Sequence, residues 1–135
     1  ESYIISNMLK ISQNMFTCVP PYNQIAGMNA IKYRVNNIEI FDEMLSTLKE
    51  RKNQIKNILE IKKISYFDPE GAFYFFINIG EDSQKASNKY LETDKIALVP
   101  GTSYGLDFKY YIRFCFAISE KDYLKLINWL KEVKL

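Results

Sequence analysis

The stretch K-I-A-L-V-P-G-T-S-Y-G-L-D-F-K-Y-Y-I-R-F-C-F-A-I-S, Lys95 to Ser119, decides the fold. Ile96 to Val99 is a short apolar run of the length that a buried strand takes. Pro100-Gly101 and Gly105 end it, because proline fixes φ and glycine tolerates φ > 0. Tyr110 to Ala117 is aromatic and β-prone, and predicts a second strand packed on at least one face. Arg113 stands in its middle, one of three arginines against fifteen lysines. Strand alternation puts Arg113 on a face with Tyr111, Cys115 and Ala117, and turns Ile112, Phe114 and Phe116 to the other. One face is then solidly apolar. The other presents a single fixed cation among small and amphipathic groups. A guanidinium there is costly to bury without a partner. An Asp or Glu of the fold, water at a strand edge, or a bound carboxylate would satisfy it, and the arginine fork pairs with carboxylates bidentately.

Before this stretch the periodicity is helical. Tyr3 to Met15 carries Ile4, Ile5, Met8, Leu9 and Ile11 at helical spacing. Phe16 to Pro20 is expected to be extended, since Val19 and Pro20 each precede a proline. A second helix runs from Tyr22 to about Tyr33, with Pro21 at its start and a small-residue face of Ala26, Gly27 and Ala30. Asn36 with Glu39 has the spacing of a capping box. The helix that follows repeats Ile38, Phe41, Leu45, Leu48, Ile55, Ile58 and Leu59 at three- and four-residue steps. Its charge run Lys49-Glu50-Arg51-Lys52 reads as a solvated face.

Lys62 to Phe67 and Ala72 to Ile79 read as strands around the turn Asp68-Pro69-Glu70-Gly71. The second of them is apolar on both faces, as in a central strand. Asp82 or Ser83 opens a short helix reaching about Leu91. Ser119, with Asp122 three residues on, caps a last helix whose stripe is Tyr123, Leu126, Ile127, Leu130 and Val133. The order α-α-α-β-β-α-β-β-α predicts an α+β fold. It is a two-layer sandwich of a small antiparallel or mixed sheet with helices packed on it, preceded by two N-terminal helices.

Composition bounds the function. A chain of 135 residues is one domain by length, and a net charge of +2 is too small to argue for nucleic acid or an anionic membrane. No apolar run is long enough to span a bilayer. There is no histidine, so serine–histidine and cysteine–histidine triads are excluded within this chain, and Cys18 and Cys115 are too few and too far apart for a zinc site. No metal is expected, and the two cysteines read as reduced thiols of a cytoplasmic protein. Gly71 to Phe76 superficially suggests an RNA-recognition motif, but Glu70 stands where that motif wants a cation. Gly101 to Gly105 lacks the lysine of a phosphate cradle. The loop carboxylates Asp68, Glu70, Asp82 and Asp107 have no spacing that argues for paired acid–base work.

V-P-G-T-S-Y-G (Val99 to Gly105) followed by Y-I-R-F-C-F-A (Tyr111 to Ala117) resembles the C-terminal signature of the class I/II, fold-type I aminotransferases. Pro69-Glu70-Gly71-Ala72-Phe73-Tyr74 is similar to that family's P-x-G-(A/G)-F-Y. Pro21-Tyr22-Asn23-Gln24-Ile25-Ala26 resembles an earlier P-x-x-Q-x-A helix start. The three stretches keep the family's order and about its spacing, and the resemblance spans nearly the whole chain. The resemblance implies that Arg113 binds the substrate α-carboxylate, and that the substrates are an amino acid and a 2-oxo acid. It implies pyridoxal 5'-phosphate as cofactor of the full-length enzyme, which would be a homodimer. It divides the chain into residues 1–33, the helical tail of a large domain, and 34–135, the C-terminal small domain. The family's cofactor-linking lysine lies in a Ser-x-x-Lys-like stretch upstream. No lysine here has that context, so no catalytic or cofactor-binding residue is expected, and the chain alone should be inactive. A chain opening on Glu1 without methionine is expected to be part of a longer protein. The alternative is a stand-alone α+β module that binds a small carboxylate on the Arg113 face.

Overall fold

A computed structural model describes residues 2–133, the side chain of Ile40 apart. The outermost residues of the expected segments, Glu1, Lys134 and Leu135, lie outside the described residues. The chain divides into two compact units, Glu1–Glu43 and Met44–Leu135.

The first unit holds α1 (Ser2–Met15) and α2 (Pro21–Asn36). Between them the chain turns at Thr17, with φ of 46°, and Gln24 Nε2 donates to the Val19 carbonyl at 2.7 Å. Pro21 occupies the first turn of α2, where its missing N–H leaves no intrahelical bond unmade. No residue of either helix is buried. The Asn36–Glu39 capping box does not form. Asn36 is the last residue of α2, Asn37 caps a 3-10 turn at Ile38–Phe41 without a side-chain bond, and Asn37 Nδ2 donates backward to the Tyr33 carbonyl. The second asparagine ended one helix rather than the first starting the next.

The second unit is the α+β sandwich. Helix α3 (Asp42–Ile61) leads to β1 (Tyr66–Phe67), β2 (Tyr74–Asn78), α4 (Ser83–Thr93), β3 (Val99–Pro100), two 3-10 turns, β4 (Tyr111–Cys115) and α5 (Glu120–Glu132). The sheet is antiparallel throughout, in the order β1-β2-β4-β3. Lys62 and Lys63 form the turn that follows α3, not part of a strand: Lys63 takes φ of 57° and Ile64 N–H bonds back to the Leu59 carbonyl. β3 is likewise shorter than the run Ile96 to Val99. Ile96 and Leu98 are buried by packing, but only Val99 and Pro100 pair with β4.

One face of the sheet makes the core. Phe75, Ile77, Ile112 and Phe114 alternate inward and meet Ile55 and Leu59 of α3, Ala86 and Tyr90 of α4, and Leu126, Ile127 and Leu130 of α5. Phe75 stacks on Phe114 with centroids 5.7 Å apart. Two caps fix the helices over this face. Asp82 accepts from the N–H groups of Gln84 and Lys85, both at 3.1 Å. Ser119 Oγ accepts from Asp122 N–H and donates to its carboxylate at 2.6 Å.

The run Lys49 to Lys52 is only half solvated. Lys49 and Glu50 are exposed, but the side chain of Arg51 is 11% exposed. It donates to the carbonyls of Phe116 (3.1 Å) and Ile118 (2.7 Å), pairs with Glu120 at 2.6 Å, and lies over the Tyr123 ring. Lys52 reaches the Pro69 carbonyl. Both residues tie α3 to later segments, a role that helical periodicity does not reveal.

Candidate functional site

Arg113 lies on β4, which is hydrogen-bonded on both sides and is no edge strand. Its cross-strand partners are Phe76 on β2 and Val99 on β3. Burial alternates along β4 as the sequence predicts: Ile112 and Phe114 are buried, while Tyr111, Arg113 and Cys115 are half-buried on the opposite face. That face is aromatic rather than small. Phe76 stacks on Tyr111 at 5.1 Å and on Phe67 at 5.8 Å, and Phe108 meets Phe76 edge-on at 5.3 Å.

The guanidinium itself sits in an aromatic nest. Its Cζ is 4.3 Å from the Tyr74 ring centroid and 5.2 Å from that of Tyr104, within cation–π range. These rings hold the planar group without neutralising it. Nε is buried and has no hydrogen-bond partner, and among the described residues no carboxylate pairs with Arg113. Arg51 shows the contrast, with two carbonyls and an acid to itself. Of the ways to satisfy the cation, neither an internal acid nor a strand edge is present among the described residues. Beside it opens a cleft of about 260 Å3 lined by Phe76, Tyr104, Phe108 and Arg113.

The glycine segment builds the rim of this cleft. Gly101–Tyr104 and Leu106–Phe108 form successive 3-10 turns, joined at Gly105 with φ of 143°. Gly101 packs so closely on the backbone that a Cβ there would lie 2.1 Å from the Phe108 carbonyl oxygen and 2.6 Å from that of Tyr111. The double turn is therefore pressed against the start of β4, with Tyr104 and Phe108 beside the outer face. Sequence reasoning identified Arg113 but missed Tyr74, Tyr104 and Phe108. Tyr74 and Phe76 could have been found from alternation along β2, which puts them on one face. The two rim aromatics come from a turn whose path no periodicity encodes.

The model of the aminotransferase class I and II family matches residues 1–130. The chain belongs to that family. A probable aspartate aminotransferase of Methanocaldococcus jannaschii is 31% identical over 139 residues, covering 98% of this chain and 35% of that protein. The (5-formylfuran-3-yl)methyl phosphate transaminase of the same organism is 32% identical over 96% of the chain and 36% of that protein. The crystal structure of an aspartate aminotransferase from Thermotoga maritima superposes with a TM-score of 0.73 at 28% identity, covering 91% of this chain and 31% of that one. The chain thus spans about a third of the length of these relatives.

The family implies pyridoxal phosphate, and the residues around the cleft do not fit as its holders. Among the described residues no lysine lines the cleft. Lys52 and Lys56 are engaged with Asp68, and Lys62 with the carbonyls that end α5. What this segment offers is a fixed cation that no carboxylate among the described residues compensates.

Proposed function

We propose that this chain is the C-terminal part of a pyridoxal-phosphate-dependent aminotransferase and contributes the arginine that binds the substrate α-carboxylate. Residues 1–33 are the helical tail of the large domain and 34–135 the small domain. The full-length enzyme transfers an amino group between an amino acid and a 2-oxo acid, as a homodimer in the cytoplasm. When bound, the cofactor supplies the electron sink for that chemistry. Arg113 supplies position. Its fork grips the carboxylate common to both substrates, and the rings of Tyr74 and Tyr104 fix the plane of the fork, so that Cα is presented in one orientation. The chain alone, without a lysine to link the cofactor, is inactive.

The observation that carries this reading is the buried, partnerless Nε of an arginine that no acid among the described residues pairs with, beside an open cleft. Arg51 is satisfied within the fold; a partly buried arginine left without such a partner is suited to an anion from outside. The test is kinetic, in the complete enzyme. Arg113→Lys and Arg113→Ala lower kcat/KM for the amino acid and for the oxo acid alike, while the fold persists. Wild-type values in both half-reactions would make Arg113 a structural residue.

A further inference from the structure

Among the described residues no carboxylate pairs with Arg113, and its Nε has no hydrogen-bond partner. The place of its guanidinium is therefore set by the strand beneath it and the rings of Tyr74 and Tyr104 around it. That strand is held unevenly. The ladder with β2 runs the whole length of β4, from Asn78 opposite Tyr111 to Tyr74 opposite Cys115. The ladder with β3 ends at Arg113 itself, opposite Val99. Beyond Arg113 the chain has a paired strand on one edge only. Arg51 takes over there, reaching across from α3. Its Nη1 donates to the carbonyls of Phe116 at 3.1 Å and Ile118 at 2.7 Å, and its Nη2 pairs with Glu120 at 2.6 Å. Its Cζ lies 4.4 Å from the Tyr123 ring centroid. The link from β4 to the start of α5 is thus pinned by charge-assisted bonds, which are stronger than neutral ones.

We infer that Arg51 is a positioning residue for Arg113: it fixes the end of β4, and with it the height and angle at which the guanidinium is presented. The inference rests on the reading of Arg113 as the carboxylate clamp. Phe116 is the joint. Its carbonyl takes the Arg51 bond, and its N–H donates to the Phe73 carbonyl at 3.0 Å. Phe73 leads directly into Tyr74, whose ring centroid is 4.3 Å from the Arg113 Cζ. The strand that carries the cation and the ring that steadies its plane therefore meet at one buried residue, and Arg51 ties that residue to α3. A two-point grip is sensitive to small displacements: a shift of about 1 Å can cost on the order of a hundredfold in rate. Without Arg51 the Phe116 and Ile118 carbonyls lose their donor and the end of β4 is free to shift. The Arg113 guanidinium, with no ion pair to resist, moves with it. Arg51 meets no reacting atom on this reading and acts through the backbone alone.

The test is a ratio measured in the complete enzyme: kcat/KM for an amino acid over kcat/KM for a matched amine without an α-carboxylate. A loss of folded protein lowers both and leaves the ratio alone; a displaced clamp lowers the ratio. Arg51→Met keeps the length of the side chain and removes its donors, and the expected result is a ratio about tenfold below wild type. Arg51→Lys keeps a cation but cannot span two carbonyls and Glu120 at once, and should lower the ratio about threefold. It decides the question if Arg51→Met does not fold. Ile58→Ala lowers stability from the same helix without removing a hydrogen bond, and leaves the ratio at the wild-type value. A wild-type ratio in the folded Arg51 variants, or an equal fall in Ile58→Ala, overturns the inference and makes Arg51 a stabilising residue only. Arg113→Lys is measured beside them. If its ratio falls while those of the Arg51 variants do not, the clamp stands without Arg51; if its own ratio is unchanged, the clamp fails and the inference with it.

Discussion

Gly101 and Gly105 stand four residues apart and are glycine for different reasons. Gly105 has a backbone conformation, φ 143° with ψ 154°, that side chains rarely adopt. Gly101 has no positive φ; it is glycine because two carbonyl oxygens occupy the place of a Cβ. The sequence reading assigned both to turn flexibility, which is correct only for the second. Gly101→Ala therefore forces the double turn off β4, at a cost of about 1–3 kcal/mol for overpacking. Chemical denaturation measures it, and unchanged stability would mean that the turn yields freely. Arg51 gives a second test at this scale. Arg51→Ala leaves the Phe116 and Ile118 carbonyls without their donor, a loss of about 2–3 kcal/mol for bonds to a charged group. A loss within experimental error would return it to the solvated face that the sequence suggested.

At the scale of elements, α4 and α5 each bury one tyrosine whose hydroxyl stays neutral. Burial first, and the nearby Glu81 carboxylate second, push Tyr90 up to about 12. Burial pushes Tyr123 up to about 12, with the neighbouring Arg51 opposing and Glu120 assisting. Both folded values lie above the ordinary tyrosine value of about 10. The unfolded chain then gives up these protons first, so the stability they contribute is complete below about pH 10 and disappears as pH rises toward about 12. An absorbance titration of phenolate should show a lagging phase to which Tyr90 and Tyr123 contribute, with loss of the α4–α5 packing as they ionise. A single phase near pH 10 with the fold intact would contradict the packing. The order of these elements was legible in the sequence because its signals are local: helical periodicity, Pro21 at a helix start, Asp82 and Ser119 at caps. What was not legible depended on contacts distant in sequence. Ile96 to Leu98 is apolar enough for a strand but is buried by helices instead of paired. Tyr104 came beside Arg113 through two turns of which neither is periodic.

For the whole molecule, the two units differ in what holds them. Met44–Leu135 has one continuous core, whereas α1 and α2 bury no residue. Ile4, Met8, Leu9, Ile25 and Ile31 remain exposed. Helices without a buried face draw little stability from packing. Amides of α1 and α2 should exchange with solvent far faster than those of β2 and β4. Equal protection across the chain would count against these helices being a segment whose packing partner lies elsewhere in a longer protein.

The central claim is that Arg113 is uncompensated because a substrate carboxylate compensates it. Arg113→Lys keeps the charge and loses the planar two-point fork. In the complete enzyme, reducing a bidentate contact to a point charge costs about 2–4 kcal/mol in binding and orientation. That is roughly thirty- to a thousandfold in kcat/KM for an amino acid. The same measurement on an amine without an α-carboxylate supplies the comparison, since that substrate has nothing for the fork to grip. The account predicts a large loss for the amino acid and nearly none for the amine. Losses equal for the two substrates, or an amino-acid kcat/KM within a factor of about three of wild type with the fold intact, would contradict it.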